Sequence, residues 1–224
     1  MNAPMPDQRL PRGPHRMTRA EVAESQRGRL LLAMLDAIAS HGYNSVTVAD
    51  LVSRARVSRR TFYELFDSKE DCLAAAFETI FRIVEVRLTD AIKGAGQLNW
   101  RELIRTSLAA YLDILAEEPA VARALHVEAL IAGPALAVYR AQLMSELANR
   151  MRAARELAVQ QGELTGSLPD GDFDFLIGGI DDRIRDCLRT RGPSALPALG
   201  PPLSRVTLRL LGDSPVDGTA QVGQ

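Results

Sequence analysis

The chain has 224 residues, 46% hydrophobic, 25% charged and 5% aromatic, with a formal net charge of −1. That is apolar enough to fill a sizeable core, yet no run of about 18 apolar residues is present to span a membrane, and the opening "MNAPMPDQRLPRGPHRM" lacks the apolar stretch of a secretory signal. Cys72 and Cys187 form no C-x-x-C pair and cannot build a disulfide framework, so two reduced core thiols in a cytoplasmic protein are expected.

The small net charge hides an asymmetry. Residues 1–67 hold ten arginines against seven acids, a net +3, which leaves −4 for the remainder. A basic front end on an acidic body suits a nucleic-acid reader joined to a second unit.

Residues 1–17, rich in Pro and Arg, read as a basic arm without a fold of its own. Thr18-Arg-Ala-Glu21 is a capping box, and it opens a helix to about Ser40 that His41-Gly42 stops. Thr47 caps a second helix, Val48 to about Ala55. Arg56-Val57 is a tight link, and Ser58 caps a third helix, Arg59 to Leu65. Asp67-Ser68 then starts a helix from Lys69 to about Lys93. Further helices are expected over Trp100 to Ala116, Pro119 to Ile131, Pro134 to about Gln161 and Asp172 to Arg191. The prolines sit at starts, where a missing N–H costs nothing. A last helical region in Ser194 to Leu211 is expected to break near Gly200-Pro201-Pro202, and the tail 213–224 to lack structure. No strand pattern emerges, so the fold class is all-α: an N-terminal three-helix unit (18–67) joined to a helical bundle (68–212).

The stretch "VSRRTFYELFDSKEDC" carries the function. A helix of about seven residues is marginal alone and must be held by packing; Phe62, Leu65 and Phe66 supply it at i, i+3, i+4 spacing. Burying that face turns Arg59, Arg60, Thr61 and Tyr63 outward. With the helix at 47–55 this makes a helix-turn-helix, whose second helix fits a DNA major groove about 12 Å wide, where Arg donates bidentately to guanine. Ser58, at the positive end of that helix, suits a phosphate oxygen.

The stretch "HGYNSVTVADLVSRARVSRRTFYELFDSKEDCL" resembles the DNA-binding domain of TetR/AcrR-type transcriptional regulators over about 50 residues. The matching features are Gly42-Tyr43, Thr47, Val57-Ser58, Thr61-Phe62-Tyr63, Phe66 and Ser68-Lys69-Glu70. The resemblance implies phosphate contacts from Tyr63, Lys69 and Thr47, with Thr61, Arg59 and Arg60 facing bases or backbone. This chain departs from the family at Arg56, where Gly is usual. Either the turn differs, or Arg56 is kept for a phosphate. Arg60, where many members have a small residue, suggests a half-site containing guanine. For Arg12 and Arg16 in the arm, disorder and minor-groove insertion remain open.

The resemblance also implies an effector-binding core and a dimer interface in the C-terminal helices. The apolar stripe Phe173, Ile177, Ile180, Ile184 beside Gly178-Gly179, with Leu203, Val206 and Leu210, is expected to form a four-helix interface across a two-fold axis. Packing of the stripe inside its own subunit is the alternative. Phe77, Phe81, Trp100, Tyr111, His126, Tyr139 and Met144 are pocket candidates, each equally readable as plain core.

"DGDFD" (Asp170, Asp172, Asp174) fails as a calcium loop, having Phe175 at the required glycine and Asp181 at position twelve, and reads as carboxylates on a helix N-terminus. No metal, cofactor or catalytic constellation is expected. The sequence thus describes a homodimeric regulator of double-stranded DNA, not an enzyme, and more a repressor released from a palindromic operator by a small apolar effector than an activator. Control by a protein partner, without a small-molecule pocket, is the alternative.

Overall fold

The computed structural model describes residues 18–131 and 134–212, which contain helices and no strand. The expected arm (1–17, with Arg12 and Arg16) and tail lie outside the described residues. Helix α1 (Arg19–His41) opens on the capping box, Glu21 N–H donating to Thr18 Oγ1 at 3.2 Å and Thr18 N–H to Glu21 at 2.6 Å. It buries Leu30, Met34 and Ile38 completely. Gly42 ends it at φ 77°, a backbone conformation that favours glycine, and a Cβ there would stand 3.2 Å from the Glu128 carboxylate.

A 3₁₀ turn (Tyr43–Ser45) leads to α2 (Val48–Ala55), and α3 (Arg59–Leu65) follows. Then come α4 (Lys69–Gly94) and α5 (Trp100–Glu117), with Ser68 and Asn99 as their side-chain caps. Next are α6 (Pro119–Arg123), a π turn (Ala124–Glu128), α7 (Ala129–Ile131), α8 (Pro134–Gln160) and α9 (Asp170–Thr190). A 3₁₀ stretch (Pro193–Leu199) runs into α10 (Gly200–Leu210). Helix α1 packs on α2, α3, α4 and α6, while α5 packs on α4, α8 and α10.

Two sequence expectations change. The helix expected over 119–131 widens at Ala124–Glu128, where the His126 carbonyl accepts from Arg185 Nε at 3.1 Å. The break expected near Gly200-Pro201-Pro202 is the junction where the 3₁₀ run ends at Leu199 and α10 starts, its prolines in the first turn where no donor is needed. Leu65, expected to be buried, is only half-buried.

Arg56 stands in the left-handed region, φ 52° and ψ 49°, the one non-glycine residue to do so among the described residues. The turn keeps the geometry that glycine favours: Val57 N–H reaches back to the Val52 carbonyl at 3.1 Å and Arg56 N–H to the Ser53 carbonyl at 3.3 Å, closing α2 as a Schellman motif. A side chain there costs roughly 1–2 kcal/mol, part of which glycine returns through the freedom of its unfolded chain. Arg56→Gly is therefore expected to raise unfolding free energy by about 0.5–1 kcal/mol in urea titration.

Candidate nucleic-acid interface

Helix α3 is held from below and capped at both ends. Phe62 is 0% and Phe66 2% exposed, and their rings tilt together with centroids 5.8 Å apart. Arg27 of α1 lies over the Phe66 ring at 4.6 Å and donates to the Leu65 carbonyl at 3.5 Å. It thus places a cation at the negative end of α3. At the other end Ser58 Oγ accepts from Thr61 N–H at 2.9 Å, and the two hydroxyls sit 2.8 Å apart.

The outer face carries Arg59, Arg60 and Tyr63, all exposed, with Thr61 half-buried behind them. Arg59 leans over the Tyr63 ring at 5.9 Å. Arg60 Nε pairs with Glu64 at 2.9 Å, but those side chains are 89% and 57% exposed, so releasing Arg60 to another acceptor costs little. Arg56 is exposed as well, its carbonyl receiving Arg29 Nη1 at 3.5 Å. Guanidinium and hydroxyl donors on one short exposed helix can serve phosphate oxygens or base edges.

Thr47 and Lys69 have work inside the fold. Thr47 Oγ1 accepts from Asp50 N–H at 3.2 Å and donates to Asp50 Oδ2 at 2.6 Å, hydrogen bonds that hold the Asp50 carboxyl below its usual range. Lys69 Nζ donates to the Val46 carbonyl at 3.0 Å and lies 4.3 Å over the Tyr43 ring. It ties the start of α4 to the entry of α2 while two of its three donors stay available. Sequence reasoning missed Arg27 and Arg29. Their signal was an arginine pair on the α1 turns preceding Leu30, where a purely solvated face was the simpler reading.

The seven pocket candidates do not converge. Phe77 stacks on Tyr139 at 4.6 Å and meets Phe81 edge-on at 6.2 Å. Trp100 donates to Glu163 Oε2 at 3.0 Å under Arg101, about 16 Å along α5 from Tyr111 at the helical rise. Met144 is half-buried against the core. Tyr111 and His126 do meet, inside a polar cluster. His126 Nε2 is 2.9 Å from the Tyr111 hydroxyl, and its Nδ1–H donates to Asp181 at 2.7 Å. Asp181, 1% exposed, also accepts from Arg140 at 2.7 Å and from Arg185. Burial pushes its carboxyl up, but the hydrogen bond and charge of His126, then Arg185 and Arg140, outweigh that and hold it below the usual range. This cluster joins α5, the π turn, α8 and α9.

The expected dimer stripe is corrected by burial. Phe173, Ile177, Ile180 and Ile184 are 0–4% exposed within the single chain, so they fill their own core. The outward side of α9 instead shows Phe175, 77% exposed, beside exposed Gly178 and Gly179. On α10, Val206 and Leu210 are exposed and Leu203 is half-buried. Asp170 at the head of α9 pairs with Arg152 at 2.8 Å.

Residues 30–76 match the family model for bacterial regulatory proteins of the tetR family. Solved structures share the fold. The fatty acid degradation regulator FadR from Bacillus halodurans aligns with TM-score 0.71 and 20% identity, over 84% of this chain and 95% of its own. The regulator FadR from Bacillus subtilis, solved in complex with stearoyl-CoA, aligns with TM-score 0.70 and 21% identity over 80% and 96%. A TetR-like transcriptional regulator from Rhodococcus sp. RHA1 gives TM-score 0.62 and 19% identity over 89% and 100%. No curated protein sequence matches. Among the described residues no helix is long and apolar enough to cross a membrane.

Removing Asp181 leaves two guanidinium groups and a buried histidine without their shared acceptor. Asp181→Ala is expected to cost about 3–5 kcal/mol in urea unfolding. Because the folded carboxyl is held low, its contribution is present above the ordinary carboxylate range and lost as pH falls through the folded value. The wild-type advantage over the variant is therefore expected to shrink in acid.

Proposed function

We propose, from the match of residues 30–76 to the tetR family of bacterial regulatory proteins, that the chain is a transcriptional regulator of that family and acts in the cytoplasm as a homodimeric repressor. It binds a palindromic operator and is released by a small apolar effector. The observation that carries this reading is α3 itself. Its buried aromatic face fixes a short helix whose exposed face is two arginines and a tyrosine.

In this reading Arg59, Arg60 and Thr61 meet the major groove, with Arg60 selecting guanine. Tyr63, Ser58, Thr47, Arg56 and Lys69 meet phosphates. Two copies join through the outward faces of α9 and α10, where Phe175 and Val206 leave apolar surface uncovered in the single chain. The recognition helices then stand about 34–36 Å apart, one helical turn of DNA. The FadR complex with stearoyl-CoA supports response to a small molecule, as does an apolar cavity of about 280 Å³ beside α1. That cavity weighs against control by a protein partner alone.

The test is capture of genomic fragments on purified protein at about 150 mM salt, where phosphate contacts alone bind weakly. One palindrome is expected to be enriched, and an Arg60→Ala, Tyr63→Phe double variant that still folds is expected to lose it. Recovery of fragments without a common sequence would contradict the reading.

A further inference from the structure

A groove of about 510 Å³ lies between α5, the 3₁₀ stretch and α10. Three arginines stand around it: Arg105 from α5, and Arg205 and Arg209 one turn apart on α10. All three are exposed, and among the described residues none of them has a hydrogen bond or an ion pair. The sequence explains why. Residues 103–112 of α5 and residues 187–212 contain no Asp or Glu, so the facing segments offer these guanidinium groups no acceptor. Like charges at i, i+4 on a helix repel, and the third cation across the groove adds to that repulsion. Elsewhere in the body the pattern differs. Arg87 and Arg152, for example, each hold a carboxylate. Arg82, Arg150 and Arg191, which also lack a partner among the described residues, stand apart on α4, on α8 and at the end of α9.

The floor of the groove is polar at one point. Ser204 lines it, is 6% exposed, and has no hydrogen-bond partner for its hydroxyl among the described residues. A serine inside a helix ordinarily bonds back to the carbonyl four residues earlier or turns to solvent; this one does neither. A nearly buried hydroxyl left unpaired is unfavourable, and here it opens beneath three cations. Leu208 in the floor, with Ala109, Pro197 and Pro201 at the rim, makes the surface between the charges apolar.

These groups select an occupant. A phosphate monoester carries about −1.5 to −2 charges at neutral pH and three strong acceptor oxygens, and guanidinium meets phosphate oxygens bidentately. The apolar surface suits an uncharged body attached to that phosphate, and the volume falls within the range of small-molecule sites. We propose that the groove between α5 and α10 binds an organic phosphate. Arg105, Arg205, Arg209 and the Ser204 hydroxyl take the phosphate, and Leu208 and the two prolines take the apolar part. On α10 the two arginines lie about a third of a turn away from Val206 and Leu210 at 3.6 residues per turn, so a dimer joined through those residues leaves the groove open. The phosphate comes either from a dissolved ester or from a lipid headgroup.

The experiment uses full-length protein at about 150 mM salt, where exposed charges are screened. Equilibrium dialysis measures 1-naphthyl phosphate, 1-naphthol and inorganic phosphate; flotation measures phosphatidylcholine vesicles with and without phosphatidic acid. Wild type is expected to bind naphthyl phosphate roughly tenfold or more tightly than naphthol or inorganic phosphate. Arg205 and Arg209 are exposed and unpaired, and alanine favours helix, so the Arg205→Ala, Arg209→Ala double variant is expected to fold and to lose roughly tenfold or more in binding. Ser204→Ala is expected to weaken binding about threefold or more, and Arg150→Ala, remote on α8, to leave it unchanged. If the source is a lipid, flotation with phosphatidic acid vesicles replaces binding of the free ester and is lost in the same double variant. Binding to neither probe, a folded double variant that binds unchanged, or an equal loss in Arg150→Ala would overturn the proposal. Naphthol or inorganic phosphate bound as tightly as the ester would overturn it too, since the charges or the apolar walls would then contribute nothing. None of these measurements involves DNA, so failure of the regulator reading leaves them standing.

Discussion

A seven-residue helix does not stand alone in water, and the proposed reading surface is such a helix. What holds α3 is the burial of Phe62 and Phe66 against the helices behind it, with Arg27 reaching from α1 to the Leu65 carbonyl at its end. The same burial leaves Arg59, Arg60 and Tyr63 no direction but outward. Stability and display therefore have one cause, and any motion of α1 carries the display with it.

Helix α1 is accordingly the strut of the molecule. On one side it supports α2 and α3; on the other it meets α4 and the α6–π segment. At the second joint the partners are polar and specific. Arg123 donates to the Ala39 carbonyl and pairs with Glu128 at 3.3 Å, and that carboxylate abuts Gly42. Beyond it the Asp181 cluster locks the π turn to α8 and α9. The joint at the end of α1 is thus polar and specific, while the contact along its middle is apolar.

The helix-turn-helix was legible from sequence because its logic is local. Thr18, Thr47 and Ser58 each cap the helix that follows them, and the Phe62–Phe66 spacing declares a buried face. Arg56 in the turn was legible as an anomaly, and the structure keeps the left-handed turn with arginine in it. The body was less so, because its decisive contacts join residues far apart in the chain. The His126–Asp181 bond spans 55 positions, and nothing in "LHVEAL" announces a π turn. The stripe on α9 was seen correctly as apolar, but periodicity cannot say whether a face meets its own chain or a second copy.

The most direct measurement is the distance between the two reading helices in the unliganded protein, by pulsed electron resonance of spin labels on Glu64→Cys. Native Cys72 and Cys187 are buried, and burial pushes the Cys72 thiol up to about 12, so the label goes to the exposed helix. A separation on the order of 35 Å, one turn of DNA, is the predicted result. Absence of any coupling between labels, or a spacing that two successive major grooves cannot accept, would contradict the account.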